Sequence, residues 1–99
     1  MKIRILGSAL GDLAEGRDFY ERRGEGLGDY FLDSLFSDID SLALYAEIHR
    51  KFSDFHRLLA KRFPCGIYYQ FGGADVIVCR VLDLRPDPRK IRTTLKSTA

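Results

Sequence analysis

The hydrophobic pattern of this 99-residue chain changes period near its middle, and that change constrains the fold more than any other feature. Between residues 8 and 46, apolar side chains recur every three or four positions, which is typical of amphipathic helices. From residue 49 to residue 82 they recur every second position, which is typical of strands. The pattern predicts an α+β protein, and the length fits a single domain over residues 1–99.

The first half is predicted to form a strand followed by an antiparallel two-helix hairpin. Residues 2–6 alternate as a strand, and Ser8 is the expected N-cap of a helix over 8–23. A glycine-rich break at 24–26 precedes a second helix over 27–46. The expected inward positions are Leu10, Leu13, Ala14, the stem of Arg17 and Tyr20 in the first helix, and Leu27, Phe31, Ser34, Leu35, Ile39 and Leu42 in the second, whereas Asp38 is expected on the surface.

The second half predicts a mainly antiparallel β-sheet meander, because its connections are short. Strands are expected at 49–52, 56–63, 67–71 and 76–82, with turns at 64–66 and 72–75. Alternation places Arg57 and Lys61 on one side of their strand, and Tyr68 and Tyr69 on opposite faces, so that at least one tyrosine belongs to the core.

The last two predicted strands are apolar on both faces. The helical hairpin is expected to cover one face, and either the C-terminal tail or a partner protein covers the other. The tail itself is short and basic. Asp83 or Asp87 is the expected cap of a helical turn over 89–95.

Charge is segregated along the chain. Residues 1–46 hold five basic and nine acidic residues, net −4, whereas residues 47–99 hold eleven and five, net +6. A basic second half favours a polyanionic partner, either a nucleic acid or an acidic protein surface, although a plain solvated surface is the alternative. The apolar start of the chain is broken at Gly7 and Ser8, before a signal-peptide core forms, so we expect a cytoplasmic protein without a membrane segment.

Cysteine and histidine do not occur in a pattern that binds metal. Cys65 and Cys79 are two residues without the spacing of a zinc site or a disulfide framework, and we expect free thiols. His49 and His56 lack a nearby carboxylate or cysteine at ligand spacing, so we expect surface or packing roles. No metal and no cofactor are expected.

Several short sequence motifs resemble those of one family of small proteins. Arg57-Leu58-Leu59, Arg62-Phe63-Pro64, Ile67-Tyr68-Tyr69, Val81-Leu82-Asp83, Arg85 and Asp87-Pro88-Arg89 follow one another as in ParE-like members of the RelE/ParE toxin superfamily. Upstream, Leu13-Ala14-Glu15, Phe19-Tyr20-Glu21 and Leu27-Gly28 to Phe31 resemble the helical hairpin of the same family. The resemblance covers almost the whole chain and implies the toxin of a type II toxin–antitoxin system.

The resemblance admits two activities, namely inhibition of DNA gyrase by ParE-like members and ribosome-dependent mRNA cleavage by RelE-like members. Attack by a 2′-hydroxyl needs a proton acceptor, a proton donor and cations. Nuclease members of the superfamily meet that requirement with a Tyr or His in the C-terminal segment, but neither residue follows Arg85 here. Gly66 and Leu59 stand where nuclease members tend to have arginine and lysine. The chain is therefore interpreted as ParE-like, with no catalytic residues.

The resemblance implies two protein partners and a hetero-oligomer with one of them. The target, DNA gyrase or alternatively the ribosome with its mRNA, is expected to meet a basic set, and the cognate antitoxin an apolar set. The basic set is Arg57, Lys61, Arg80, Arg85, Arg89, Lys90 and Arg92, and the apolar set is Tyr68, Phe71, Val76 and Val78. A ribonuclease that uses Arg57, Lys61, Arg85 and a histidine, and a degenerate non-toxic interaction module, stay open as alternatives.

Overall fold

The computed structural model describes residues 1–98, and within them five strands form one sheet. The strands are β1 (Lys2–Ile5), β2 (Lys51–Phe52), β3 (Phe55–Leu59), β4 (Cys65–Gly72) and β5 (Asp75–Asp83). The order across the sheet is β1-β5-β4-β3-β2. β2 to β5 form antiparallel pairs, whereas β1 is parallel to β5, with Lys2 opposite Asp75 and Ile5 opposite Val78. The predicted α+β class and mainly antiparallel sheet are confirmed.

Four helices accompany the sheet in the described part of the chain. They are α1 (Gly7–Glu21), α2 (Leu27–Asp40), α3 (Leu42–Tyr45) and α4 (Pro88–Lys96), and a 3₁₀ turn, Ala46–Ile48, follows α3. The hairpin of α1 and α2 is confirmed, but the second helix ends earlier than predicted. The chain turns at Ser41, whose hydroxyl donates to the Asp38 carbonyl at 2.6 Å. No helix within residues 1–98 is long and apolar enough to cross a membrane.

The helical hairpin packs on one sheet face, although α1 is rotated from its predicted orientation. Phe31, Leu35 and Ile39 of α2 are buried there as predicted. On α1 the buried residues are Ala9 and Leu13, whereas Leu10 and Ala14 are exposed, so those two expected core positions were wrong. Leu27 is also exposed.

The opposite sheet face is covered by α4. The sequence had left open whether the C-terminal tail or a partner protein would cover this face. Ile91 and Leu95 of α4 are buried against Phe55, Tyr68 and Cys79. Asp87 caps this helix, since its side chain accepts a hydrogen bond from Arg89 N–H at 2.9 Å, and Pro88 stands at the first helical position. The C-terminal tail therefore forms a helix that covers one face of the sheet.

The far end of β3 differs from the prediction. The strand stops at Leu59 because the chain turns back, with Ala60 N–H donating to the Cys65 carbonyl at 2.9 Å. Lys61 therefore lies outside the strand, and the prediction that it shares a strand side with Arg57 was wrong. Asp38, expected on the surface, is buried and accepts a hydrogen bond from Lys61 N–H at 3.1 Å.

Candidate interaction surfaces

Side chains of α1 form hydrogen bonds with the backbone of β5 along the part of its edge that β1 does not cover. β1 pairs with β5 only as far as Val78. Beyond that point the Ser8 hydroxyl donates to the Cys79 carbonyl at 2.7 Å, and Val81 N–H donates to Asp12 Oδ2 at 2.9 Å. Ser8 is therefore not the helix cap that the sequence predicted, because its hydroxyl satisfies a strand edge instead.

Arg80, one of the predicted target-binding residues, belongs to this edge. Its Nε and Nη2 donate to the two oxygens of Asp12, each at 2.8 Å, and the ion pair is largely shielded from solvent. The hydrogen bond with Asp12 raises the pKa of the guanidinium. A cation held in a bidentate pair already has its partner, so this geometry indicates a structural role for Arg80.

Arg85 lines a groove beside α1 and β5 of about 310 Å³, together with Phe19, Tyr20, Cys65 and Asp83. Arg85 donates a hydrogen bond to Asp83, and this bond lowers the pKa of the Asp83 carboxyl. Burial raises the pKa of the Cys65 thiol to about 11, so the thiol stays protonated at neutral pH and is a poor nucleophile. Cys65 and Cys79 are both unpaired, as predicted.

Arg57 and Arg92, which are 35 positions apart in sequence, meet at one aromatic ring. The guanidinium carbon of Arg57 lies 4.5 Å from the Phe52 ring centroid, and that of Arg92 lies 5.0 Å from it. The strand pair β2–β3 and helix α4 converge at this point. Of the remaining predicted target-binding residues, Arg89 pairs with its own cap Asp87 at 2.8 Å, while Lys61 and Lys90 are exposed.

The four residues predicted to bind an antitoxin lie mostly inside the protein. Tyr68, Val76 and Val78 have no exposed surface, whereas Phe71 is 38% exposed. Val76 and Val78 face the helical hairpin and Tyr68 faces α4, so segments of this protein itself cover these three side chains. In this conformation, Phe71 is the member of the set that a partner can reach.

Several exposed apolar residues lie outside the sets that the sequence predicted to bind a partner. Leu44 is 80% exposed, Ile48 is 72% exposed, and Tyr45 and Leu59 are each 53% exposed. Ile48 and Leu59 line one groove of about 370 Å³ together with His49, Arg50, Lys51, Arg57 and Leu58. We call Ile48 and Leu59, which share this groove, the apolar edge patch. Leu44 stood outside the inward positions of the helix predicted over 27–46, and Ile48 lay between that helix and the strand expected from residue 49. These were the available sequence signals.

The two histidines have packing environments, as predicted. His56 stacks on Tyr69, with 5.4 Å between ring centroids, and its Nδ1 lies 3.1 Å from the His49 carbonyl. His49 Nε2 is buried without a hydrogen-bond partner among residues 1–98, and burial lowers the pKa of that imidazole. No group of three His, Cys, Asp or Glu side chains in the described residues is placed to hold a metal ion.

The architecture defined by these elements is a small α+β fold with a helical hairpin on one sheet face and a C-terminal helix on the other. A chain of the solved structure of the chromosomal ParDE TA system from P. aeruginosa has the same fold, with a TM-score of 0.77. The match covers 86% of this chain and 97% of that chain at 16% sequence identity. The predicted resemblance is thereby confirmed in the fold. The chain matches no model of a known protein family and no curated protein.

Proposed function

We propose that this chain is the toxin of a type II toxin–antitoxin system, that it inhibits DNA gyrase by binding rather than by catalysis, and that a cognate antitoxin neutralises it. The observation that carries the proposal is the fold shared with a chain of the ParDE TA structure over nearly the full length of both chains. The ParE-like sequence motifs further support the proposal, since they span the strands and the C-terminal tail of the same fold.

A binding mode is favoured over RNA cleavage by the separation of the cations that a nuclease would need. Arg57 lies in the groove beside the apolar edge patch, whereas Arg85 lies in the groove beside α1, paired with Asp83. Charge on a pentavalent phosphorane is stabilised by cations that converge on one point. A site spread over two grooves fits a protein-binding surface better.

Target binding falls mainly to those predicted cations that have no ion pair within residues 1–98. Arg80, Arg85 and Arg89 are paired with Asp12, Asp83 and Asp87. This leaves Arg57, Lys61, Lys90 and Arg92 as the cations that a target can engage without breaking an internal pair. The whole predicted set remains part of the proposal, with these four as the principal contacts.

The antitoxin is proposed to cover the apolar edge patch together with Phe71. Large apolar side chains exposed side by side are typical of surfaces that a partner buries. The groove that holds Ile48 and Leu59 also contains Arg50, Lys51 and Arg57, so it suits a segment with apolar residues and carboxylates. An antitoxin bound there would also cover Arg57, which gives a steric mechanism of neutralisation.

Controlled induction in a bacterial host tests the proposal. We expect DNA synthesis to stop within minutes, with double-strand breaks and intact mRNA, and co-expression of the antitoxin to restore growth. Translation arrest with mRNA cut inside codons would replace gyrase inhibition by ribonuclease activity. Normal growth at full expression would favour the degenerate interaction module.

One observation favours the ribonuclease as second candidate: His49 lines the same groove as Arg50, Lys51 and Arg57. An imidazole beside several cations is the minimum for proton transfer next to a phosphate. If this candidate is correct, His49→Gln abolishes mRNA cleavage while His56→Gln retains it. If gyrase inhibition is correct, both variants remain toxic without any cleavage of mRNA.

A further inference from the structure

The surface around Phe52 brings two arginines together at one ring. Within residues 1–98, Arg57 and Arg92 take part in no ion pair, although both lie over the same ring at 4.5 and 5.0 Å. Because each guanidinium carbon is within 5.0 Å of one centroid, the two charges cannot be more than about twice that distance apart. Like charges held this close repel each other, and a bound anion relieves the repulsion.

The ring fixes these two side chains in place. Phe52 is half-buried and packs edge-on against the buried ring of Tyr68, with 5.7 Å between centroids. A guanidinium that lies over an aromatic ring keeps the N–H groups in its own plane available for hydrogen bonds. Planar donors held in position are suited to the tetrahedral oxygens of a phosphate group, which arginine binds in bidentate fashion.

Further cations extend the surface in two directions. On α4, Arg89, Arg92 and Lys96 are spaced by three and four residues, so they share one helix face. On the sheet side, the exposed Arg50 and Lys51 line the same groove as Arg57. Cations therefore flank Arg57 and Arg92 on two sides, and several charges spread over a surface match a linear polymer of anions better than a single small anion does.

We infer that Arg57 and Arg92, held on Phe52, form the centre of a binding site for the sugar–phosphate backbone of a nucleic acid, extended by Arg50, Lys51, Arg89 and Lys96. Arginine contacts to phosphates hold a nucleic acid without reading its sequence, and a basic surface that follows the backbone is typical of proteins that bind nucleic acids without sequence preference. The inference does not rest on the proposed toxin function, because it concerns a ligand that needs neither gyrase nor an antitoxin.

The test is fluorescence anisotropy of the purified full-length chain with labelled duplex DNA, single-stranded DNA and RNA, over about 50 to 200 mM salt. We expect affinity to fall with salt along a linear log–log plot. Arg57→Gln/Arg92→Gln removes two phosphate contacts and should lower the slope by about 2. Comparison of the three probes identifies which nucleic acid binds most tightly.

The matched control is Arg4→Gln/Arg22→Gln, which removes two exposed arginines on β1 and after α1 and should leave the slope unchanged. Arg57→Lys/Arg92→Lys keeps the charges and should keep most of the slope, and circular dichroism confirms that each variant is folded. Equal losses in both Gln pairs would overturn the inference. So would polyglutamate binding as tightly through Arg57 and Arg92, which would indicate an acidic protein ligand.

Discussion

Asp12 accepts three hydrogen bonds at the edge of β5, two from the Arg80 guanidinium at 2.8 Å and one from Val81 N–H at 2.9 Å. Asp12→Asn removes the charge and leaves a half-buried arginine without its counterion. We expect the free energy of unfolding to fall by about 2 kcal/mol, because hydrogen bonds to charged groups contribute that much. Urea denaturation measures the loss. Asp33→Asn, at an exposed position of α2, is the control, and an equal stability of both variants would contradict a structural role for the pair.

We expect His49 to make the fold sensitive to mild acid. Burial lowers its pKa in the folded protein below the ordinary value of 6.5, with His56 as a second, smaller cause. As the pH falls below 6.5, His49 takes up a proton in the unfolded chain but stays neutral in the folded chain. The free energy of unfolding therefore keeps its full value above this pH and decreases below it. Urea midpoints between about pH 7.5 and 5 should show that decrease, and His49→Gln should flatten it. His56→Gln should retain most of it, because burial is the larger cause; a wild-type midpoint that rises on acidification would refute the mechanism.

At the scale of elements, α4 holds its place through two buried side chains, Ile91 and Leu95. Leu95→Ala leaves a cavity above Tyr68 and Cys79 and is expected to cost about 2–5 kcal/mol of unfolding free energy. Detachment of α4 would expose an apolar sheet face, so binding of a hydrophobic dye should increase as well. Lys96→Ala, one position along the same helix at an exposed site, is the matched control. If dye binding is the same in both variants, α4 is not the cover of that face.

The elements also mark the limit of what the sequence predicts. Period and turn residues located the hairpin, the meander and the Asp87 cap, because those signals are local. The hydrogen bond of Asp38 and the pairing of Asp12 with Arg80 involve residues 23 and 68 positions away, and no local pattern encodes such contacts. The candidate site divided in the same way: the sequence named the candidate cations, and only the fold separates the cations that form ion pairs from those that do not.

At the scale of the whole molecule, both faces of the sheet are covered by the chain itself. The helical hairpin buries Val76 and Val78, and α4 buries Tyr68. We expect recognition to use the surfaces that stay exposed, namely the apolar edge patch and the cations around Phe52. These two surfaces are adjacent, since Arg57 lines the groove that also contains Ile48 and Leu59. An occupant of the apolar edge patch must compete with a ligand of Arg57.

This adjacency predicts two opposite phenotypes. Ile48→Ser/Leu59→Ser removes apolar contacts but no charge, so we expect a toxin that stops growth and is no longer neutralised when the antitoxin is co-expressed. Arg57→Gln/Arg92→Gln removes the central cations but leaves the apolar edge patch, so we expect loss of toxicity with the antitoxin still bound. Growth curves and co-purification with the antitoxin distinguish the two outcomes. Leu10→Ser, at an exposed position of α1, should behave as wild type in both assays. If both double variants lose toxicity and antitoxin binding together, one undivided surface serves both partners.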